Sequence, residues 1–234
     1  MYLSVIIPYF NEKNHIIENL IKINNYFRNK FEFEIIIIDD SGKNSFKSNF
    51  SKNLLKNFSN NLTIIENKKN YGKGYSIKTG VKKSKGKIIL FTDADLSTPI
   101  KEFEKLYSFY KDDYKIVIGS RNQLNSIIKK EKTLLRKILG RLFNIYIRVI
   151  LKLNYKDTQC GFKLFDSLSI KKIIDKSFVE RFCIDPEILY IASKKNLKIK
   201  EVGVEWSDDW NSSLKLRKDI FNMFLDVIKI RLKH

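Results

Sequence analysis

Asp93-Ala94-Asp95 sets two carboxylates one residue apart, directly after the apolar run Lys87–Thr92. Hard oxygen ligands at that spacing suit Mg²⁺ or Mn²⁺, ions that keep coordination positions open for substrate phosphates. Such an ion neutralises charge that develops on a leaving diphosphate. The same three residues also fit a solvated loop with helix-capping aspartates, so the motif alone decides nothing. Asp39-Asp40 ends another apolar run, Phe33–Ile38. An acid there accepts hydrogen bonds from a ribose hydroxyl or a base N–H, or caps the Asp40-Ser41-Gly42 turn. Asn70-Tyr71-Gly72-Lys73-Gly74 precedes a helical stretch. Two glycines let backbone approach a ligand, the helix start favours an anion, and Lys73 can reach a phosphate. Lys73 is not followed by Ser or Thr in the P-loop frame, and a plain turn reads equally well.

The elements that must position these residues come from hydrophobic periodicity. Strands are expected at Leu3–Ile7, Phe33–Ile38, Leu62–Glu66, Lys87–Thr92 and Lys115–Gly119. Helices are expected at 14–30, 53–58, Tyr75–Lys83 and Ile100–Tyr110. This alternation predicts an α/β fold with a parallel sheet, whose ligands bind beyond the carboxyl ends of the strands. Pro8–Glu12, Asp39-Asp40 and Asp93–Asp95 all fall at such ends. That coincidence favours a binding site over three unrelated turns.

The second half reads differently. Ile127–Leu153 is a long apolar and basic helical segment, with Leu134, Leu135, Ile138, Leu142, Ile145 and Val149 on one side. A loop at Asp157–Phe165 leads into a strand, Phe182–Lys194 is helical after Asp185 and Glu187, and Leu197–Val204 is a strand. Leu214–His234 is a second basic amphipathic helix.

The 234 residues suffice for one sizeable core. The net charge of +19 favours polyanionic partners or a lysine-rich solvated coat. A nucleic-acid binder lacks support, because the chain has no RNP motif, zinc pattern or helix-turn-helix. Cys160 and Cys183 lack zinc spacing and read as reduced, buried thiols of a cytosolic protein. No signal peptide is visible. No apolar run approaches the ~20 residues that span a bilayer, so membrane contact is expected to be peripheral.

Taken together, Val5–Glu12, Ile38–Gly42, Asn70–Gly74 and Phe91–Asp95 resemble the inverting glycosyltransferases of family 2 over nearly the whole chain. Gly72–Gly74, Asp93–Pro99, Gly119-Ser120-Arg121, Asp157–Lys163, Trp206 and 213–217 resemble its polyprenyl-phosphate branch, most of all dolichyl-phosphate β-glucosyltransferases. The Gln-x-x-Arg-Trp signature of processive synthases is absent. Phe10 stands where the family usually has Tyr, and Ser41-Gly42 reverses the usual order.

The resemblance implies a single GT-A domain: a Rossmann-like, mostly parallel sheet flanked by helices, with C-terminal basic amphipathic helices. Residues 1–122 would form the nucleotide-sugar half and 123–234 the acceptor half. Pro8, Phe10, Glu12 and Asp40 would line the nucleoside pocket, and Lys73 would approach the donor. Asp93 and Asp95 would hold ribose and metal, Asp95 being the stronger metal ligand. Arg121, Lys163, Lys215 and Arg217 would bind donor or acceptor phosphates. The implied reaction moves a hexose, glucose from UDP-glucose, to polyprenyl phosphate at the cytosolic face of a membrane. A saccharide hydroxyl as acceptor, or GDP-mannose as donor, are the alternatives. A hydroxyl acceptor needs a base, for which Asp185 or Glu187 is the candidate. A lipid phosphate, with its second pKa near ~6, does not.

Overall fold

A computed structural model describes residues 1–11, 16–42, 58, 61–130, 134–207 and 216–234. Strands β1 (Leu3–Tyr9), β2 (Phe33–Asp39), β3 (Leu62–Glu66) and β4 (Ile88–Phe91) pair in parallel in the order β3-β2-β1-β4. β2 is buried at every position, because helices cover both faces. The period-2 pleat then divides its isoleucines. Ile35 and Ile37 join Leu3, Val5, Ile7, Ile88 and Leu90 in one core layer, while Ile36 and Ile38 join Ile6, Ile89 and Phe91 in the other.

Helix α1 (Ile16–Phe27) buries Ile16, Leu20, Ile23 and Phe27, one face at helical spacing, against the first layer. Helix α2 (Lys73–Lys83) buries Ile77 and Val81 against the second. A 3₁₀ turn (Ile100–Glu102) opens helix α3 (Phe103–Lys111), which leads into β5 (Ile116–Ser120). The helix expected at 53–58 lies outside the described residues, apart from Phe58.

The sheet is not wholly parallel. β7 (Lys163–Asp166) runs antiparallel between β4 and β5, and β8 (Ile199–Gly203) completes the order β3-β2-β1-β4-β7-β5-β8. The two halves of the chain therefore share one sheet. In this register Phe91 lies opposite Lys163, which brings 160–163 beside the strand end that carries Asp93.

The expected continuous helix over Ile127–Leu153 is corrected. Ile127–Lys130 is a strand, β6, paired in parallel with β9 (Glu205–Ser207), and helix α4 spans Leu134–Leu151. The distant 205–207 segment supplies the backbone partners that a helix would otherwise find locally. Helices α5 (Ser167–Ile174), α6 (Ile184–Lys194) and α7 (Leu216–Lys233) complete the described elements. α4 packs on α7 through Phe143 and Tyr146 against Phe224, with ring centroids 5.1 and 4.6 Å apart. No helix among the described residues is long and apolar enough to cross a membrane.

Candidate active site

The ends of β1 and β2 are tied together by their own turns. Asn11 donates its backbone N–H to Ser41 Oγ at 3.0 Å, and Ser41 N–H donates to Asp39 Oδ1 at 2.9 Å. Gly42 takes φ +62°, so the order Ser41-Gly42 places glycine where left-handed backbone is needed. Pro8 and Phe10 are partly exposed at this edge. Glu12 lies outside the described residues.

Asp40 is buried, and its carboxylate is engaged within the protein. Oδ1 accepts from Asn67 Nδ2 at 2.7 Å and Tyr71 N–H at 2.9 Å, and Oδ2 accepts from Gly72 N–H at 2.7 Å. It clamps the loop that precedes α2. The loop's glycines let it approach the segment 179–181. A Cβ on Gly72, where φ is +109°, would come within 2.4 Å of Glu180 O; one on Gly74 would come within 2.7 Å of Val179 O.

The clamped loop fixes the root of Lys73, whose ammonium bonds Asp93 Oδ1 at 2.9 Å and lies 3.7 Å from Asp185 Oδ2. Burial works against the Asp93 charge, but Lys73 first, then Lys163 and Arg121, outweigh it and hold the carboxyl below its usual pKa. Burial likewise disfavours the Lys73 charge, and Asp93 and Asp185 more than restore it. The Asp93 carboxylate rests on Gly161, where any Cβ would lie 2.0 Å from Oδ2. Asp95 accepts from Ser97 N–H at 2.9 Å and Ser97 Oγ at 2.6 Å, and Asn19 Nδ2 holds the Ala94 carbonyl at 3.0 Å.

No cluster of three or more His, Cys, Asp or Glu side chains suited to a metal occurs among the described residues. Two carboxylates with a cation already paired to one of them still fit a hard divalent ion, since such ions fill their remaining positions with phosphate and water.

Arg121 and Asp157 form the second charged unit. Nε donates to Asp157 Oδ2 at 2.7 Å, Nη2 to Oδ1 at 2.8 Å, and the Arg121 backbone N–H to Oδ2 at 2.9 Å. Against the cost of burial, Arg121 pulls the Asp157 carboxyl down to about 2. Glu201 braces this unit by accepting from the N–H groups of Lys156 at 2.9 Å and Asp157 at 2.7 Å. The Arg121 guanidinium lies 5.5 Å from the Trp206 ring.

Lys163 does not reach outward towards a phosphate. It is fully buried, donating to the Cys160 carbonyl and to Asp185 Oδ1 at 2.5 Å. Asp185 is thereby flanked by two ammonium groups. Glu187 is fully buried and accepts from Ser177 Oγ, Phe178 N–H at 3.0 Å and Val179 N–H at 3.1 Å. Lys215 lies outside the described residues, as does the side chain of Arg217 in α7. Cys160 and Cys183 are free and buried, and burial raises both thiols above their usual pKa.

Asp157, Glu201 and Gly161 were not among the expected site residues. The signals for Asp157 are its place in the Asp157–Lys163 stretch of the family resemblance and the need of a largely buried arginine for a carboxylate. Gly161 lay in the same stretch, though without a role, while Glu201 carried no signal, because its part depends on strand pairing.

Residues 4–174 match the family model Glycosyl transferase family 2. The chain is similar to a dolichyl-phosphate beta-glucosyltransferase of Dictyostelium discoideum, 36% identical over 245 residues that cover 100% of this chain and 75% of that protein. The Homo sapiens protein of that name is 30% identical over 244 residues, covering 99% and 75%. Among solved structures, glucosyl-3-phosphoglycerate synthase of Mycobacterium tuberculosis, in complex with Mn²⁺, UDP and phosphoglyceric acid, aligns with a TM-score of 0.67 at 16% identity, covering 99% of this chain and 77% of that one. Mannosyl-3-phosphoglycerate synthase of Rubrobacter xylanophilus aligns with a TM-score of 0.67 at 14% identity, covering 100% and 73%. These two share the fold, the GT-A arrangement expected from the motifs.

Proposed function

The chain belongs to the family 2 glycosyltransferases, and from that premise we propose that it transfers glucose from UDP-glucose to a polyprenyl phosphate of the dolichyl type, with inversion. One observation carries the choice of acceptor. A sugar hydroxyl must give up a proton as it attacks, and Asp185 and Glu187 were the carboxylates expected to take it. Asp185 is paired with Lys163 at 2.5 Å and lies 3.7 Å from Lys73, while Glu187 holds the turn at 177–179. Both favour a structural duty over proton abstraction. A phosphate monoester, with its second pKa near ~6, is already ionised at neutral pH. The relatives named as dolichyl-phosphate beta-glucosyltransferases support glucose as the sugar and a dolichyl-type phosphate as the acceptor.

In this reading the phosphate oxygen bonds to the anomeric carbon as the bond to UDP breaks. Lys73 faces the donor diphosphate, and Arg121, held rigid by Asp157, orients the acceptor phosphate. Asp93 and Asp95 would hold Mg²⁺ or Mn²⁺, which when bound supplies Lewis-acid stabilisation of the departing diphosphate. The protein docks peripherally on the cytosolic face of a membrane through α4 and α7. Those helices expose Leu142, Ile145, Val149, Phe221 and Leu232 outward, beside basic residues such as Arg141.

The test is incubation of the purified chain with radiolabelled UDP-glucose, Mn²⁺ and a short polyprenyl phosphate, beside the matching polyprenol and a GDP-mannose arm. A labelled lipid should form from the phosphate and UDP-glucose only, and Asp95→Ala should reduce turnover at least ~10²-fold. Equal turnover with a free saccharide would reject the acceptor, and full activity of Asp95→Ala would reject the metal role.

A further inference from the structure

The Lys73 ammonium sits between two carboxylates that the fold brings from separate places. Asp93, at the end of β4, is at 2.9 Å, and Asp185, in the first turn of α6, is at 3.7 Å. Both the root of Lys73 and the further carboxylate are held in place. Asp40 bonds the N–H groups of Tyr71 and Gly72, and Tyr75 N–H donates to Glu180 O at 3.0 Å, so the backbone around Lys73 is pinned on both sides. Asp185 Oδ1 is anchored by Lys163, itself fully buried and bonded to the Cys160 carbonyl. That anchor leaves Oδ2 facing Lys73. A small swing of the lysine tip exchanges one carboxylate for the other.

We propose that Lys73 is the resident cation of the Asp93 carboxylate in the metal-free protein, and that it passes towards Asp185 when the divalent ion and the donor diphosphate enter. The inference rests on the metal-dependent reading above. A lysine ammonium on Asp93 Oδ1 and a divalent ion on the same carboxylate repel each other and share one negative charge. Metal alone therefore competes with Lys73, and its apparent affinity falls with the fraction of time that Asp93 is free. A diphosphate gives the displaced ammonium a second anion to bind, so metal and donor favour each other's entry, reciprocally. Asp185 acts here as a positioning residue for Lys73, which explains a buried acid at this place without a role in proton transfer.

Electron paramagnetic resonance titration of Mn²⁺ into the full chain, with and without UDP, tests this apart from catalysis. Lys73→Met should bind Mn²⁺ alone about tenfold more tightly than wild type, and the tightening caused by UDP should shrink by a similar factor. Asp185→Asn, which removes the charge that receives the ammonium, should bind Mn²⁺ alone a few-fold more weakly. Circular dichroism melts establish that each variant is folded, and Lys73→Gln asks the same question if Lys73→Met does not fold. Lys73→Met binding Mn²⁺ no more tightly than wild type, or an unchanged effect of UDP, overturns the proposal. Wild type binding Mn²⁺ with UDP while Asp93→Asn does not would leave the metal reading standing in that event. Absence of Mn²⁺ binding to wild type even with UDP overturns both.

Discussion

Asp157 concentrates four hydrogen bonds on one carboxylate, against three at Asp40. It accepts from Arg121 at Nε, Nη2 and the backbone N–H, and from Gln159 N–H at 3.2 Å. Its pKa near 2 lies below that of an unfolded aspartate, so the unfolded chain binds the proton first as pH falls. The stabilisation is fully present above pH ~4 and is lost between pH ~4 and ~2, an effect of about 2 kcal/mol. Urea unfolding followed from pH 5 to 2.5 should show that loss, and Asp157→Asn should flatten this part of the profile. At neutral pH the same variant should cost about 3 kcal/mol, because it strands the half-buried guanidinium. Among the acids, sequence reasoning named Asp93, Asp95 and Asp40 because each ends an apolar run. It could not tell that Asp40 turns inward to its own loop. That depends on Asn67, Tyr71 and Gly72 lying within reach, which only folding arranges.

At the scale of elements, the loop 70–74 is locked between Asp40 and the segment 179–181. Gly72→Ala would need a strained φ of +109° and would drive a Cβ to 2.4 Å from Glu180 O. Urea denaturation should show a loss of about 2 kcal/mol or more, and the donor KM should rise because Lys73 is rooted in the next position. The glycines were legible as a demand for close approach, but their partner was not, since Glu180 is more than a hundred residues away along the chain. Strands β1 to β4 were legible because apolar runs bounded by turn residues carry their own signal. β6 was absorbed into a helix because Ile127–Lys130 runs on into a helical pattern and its partner, β9, lies far along the chain. The antiparallel insertion of β7 was invisible for the same reason, yet it carries Lys163 and Gly161 to Asp93.

At the scale of the molecule, α4 and α7 pack together and leave an apolar, basic face outward. The sequence reading grouped Leu134, Leu135, Ile138, Leu142, Ile145 and Val149 as one apolar side of Ile127–Leu153, and the side chain of Leu135 lies outside the described residues. The fold exposes Leu134, Ile138, Leu142, Ile145 and Val149 and buries Phe143, Ile147 and Leu151 instead. Leu142 is 58% and Val149 67% exposed, so Leu142→Glu with Val149→Glu should leave Tm nearly unchanged. Flotation with vesicles rich in anionic lipid should show at least ~tenfold weaker binding of this double variant, and wild-type binding should weaken as salt rises. Equal flotation of the two proteins would reject this face as the docking surface. The sequence by itself determined the strand ends, the acids on them and the family, because local apolar runs and turn residues encode those without long-range contacts. Tertiary structure alone decided which charges are paired. Lys73 meets Asp93 and Asp185, Lys163 is buried on Asp185, and Arg121 grips Asp157 only because β7 enters between β4 and β5 and the first turn of α6 carries Asp185 to both lysines. An ion pair depends on distances of a few ångströms between residues tens of positions apart, and such distances exist only in the folded chain.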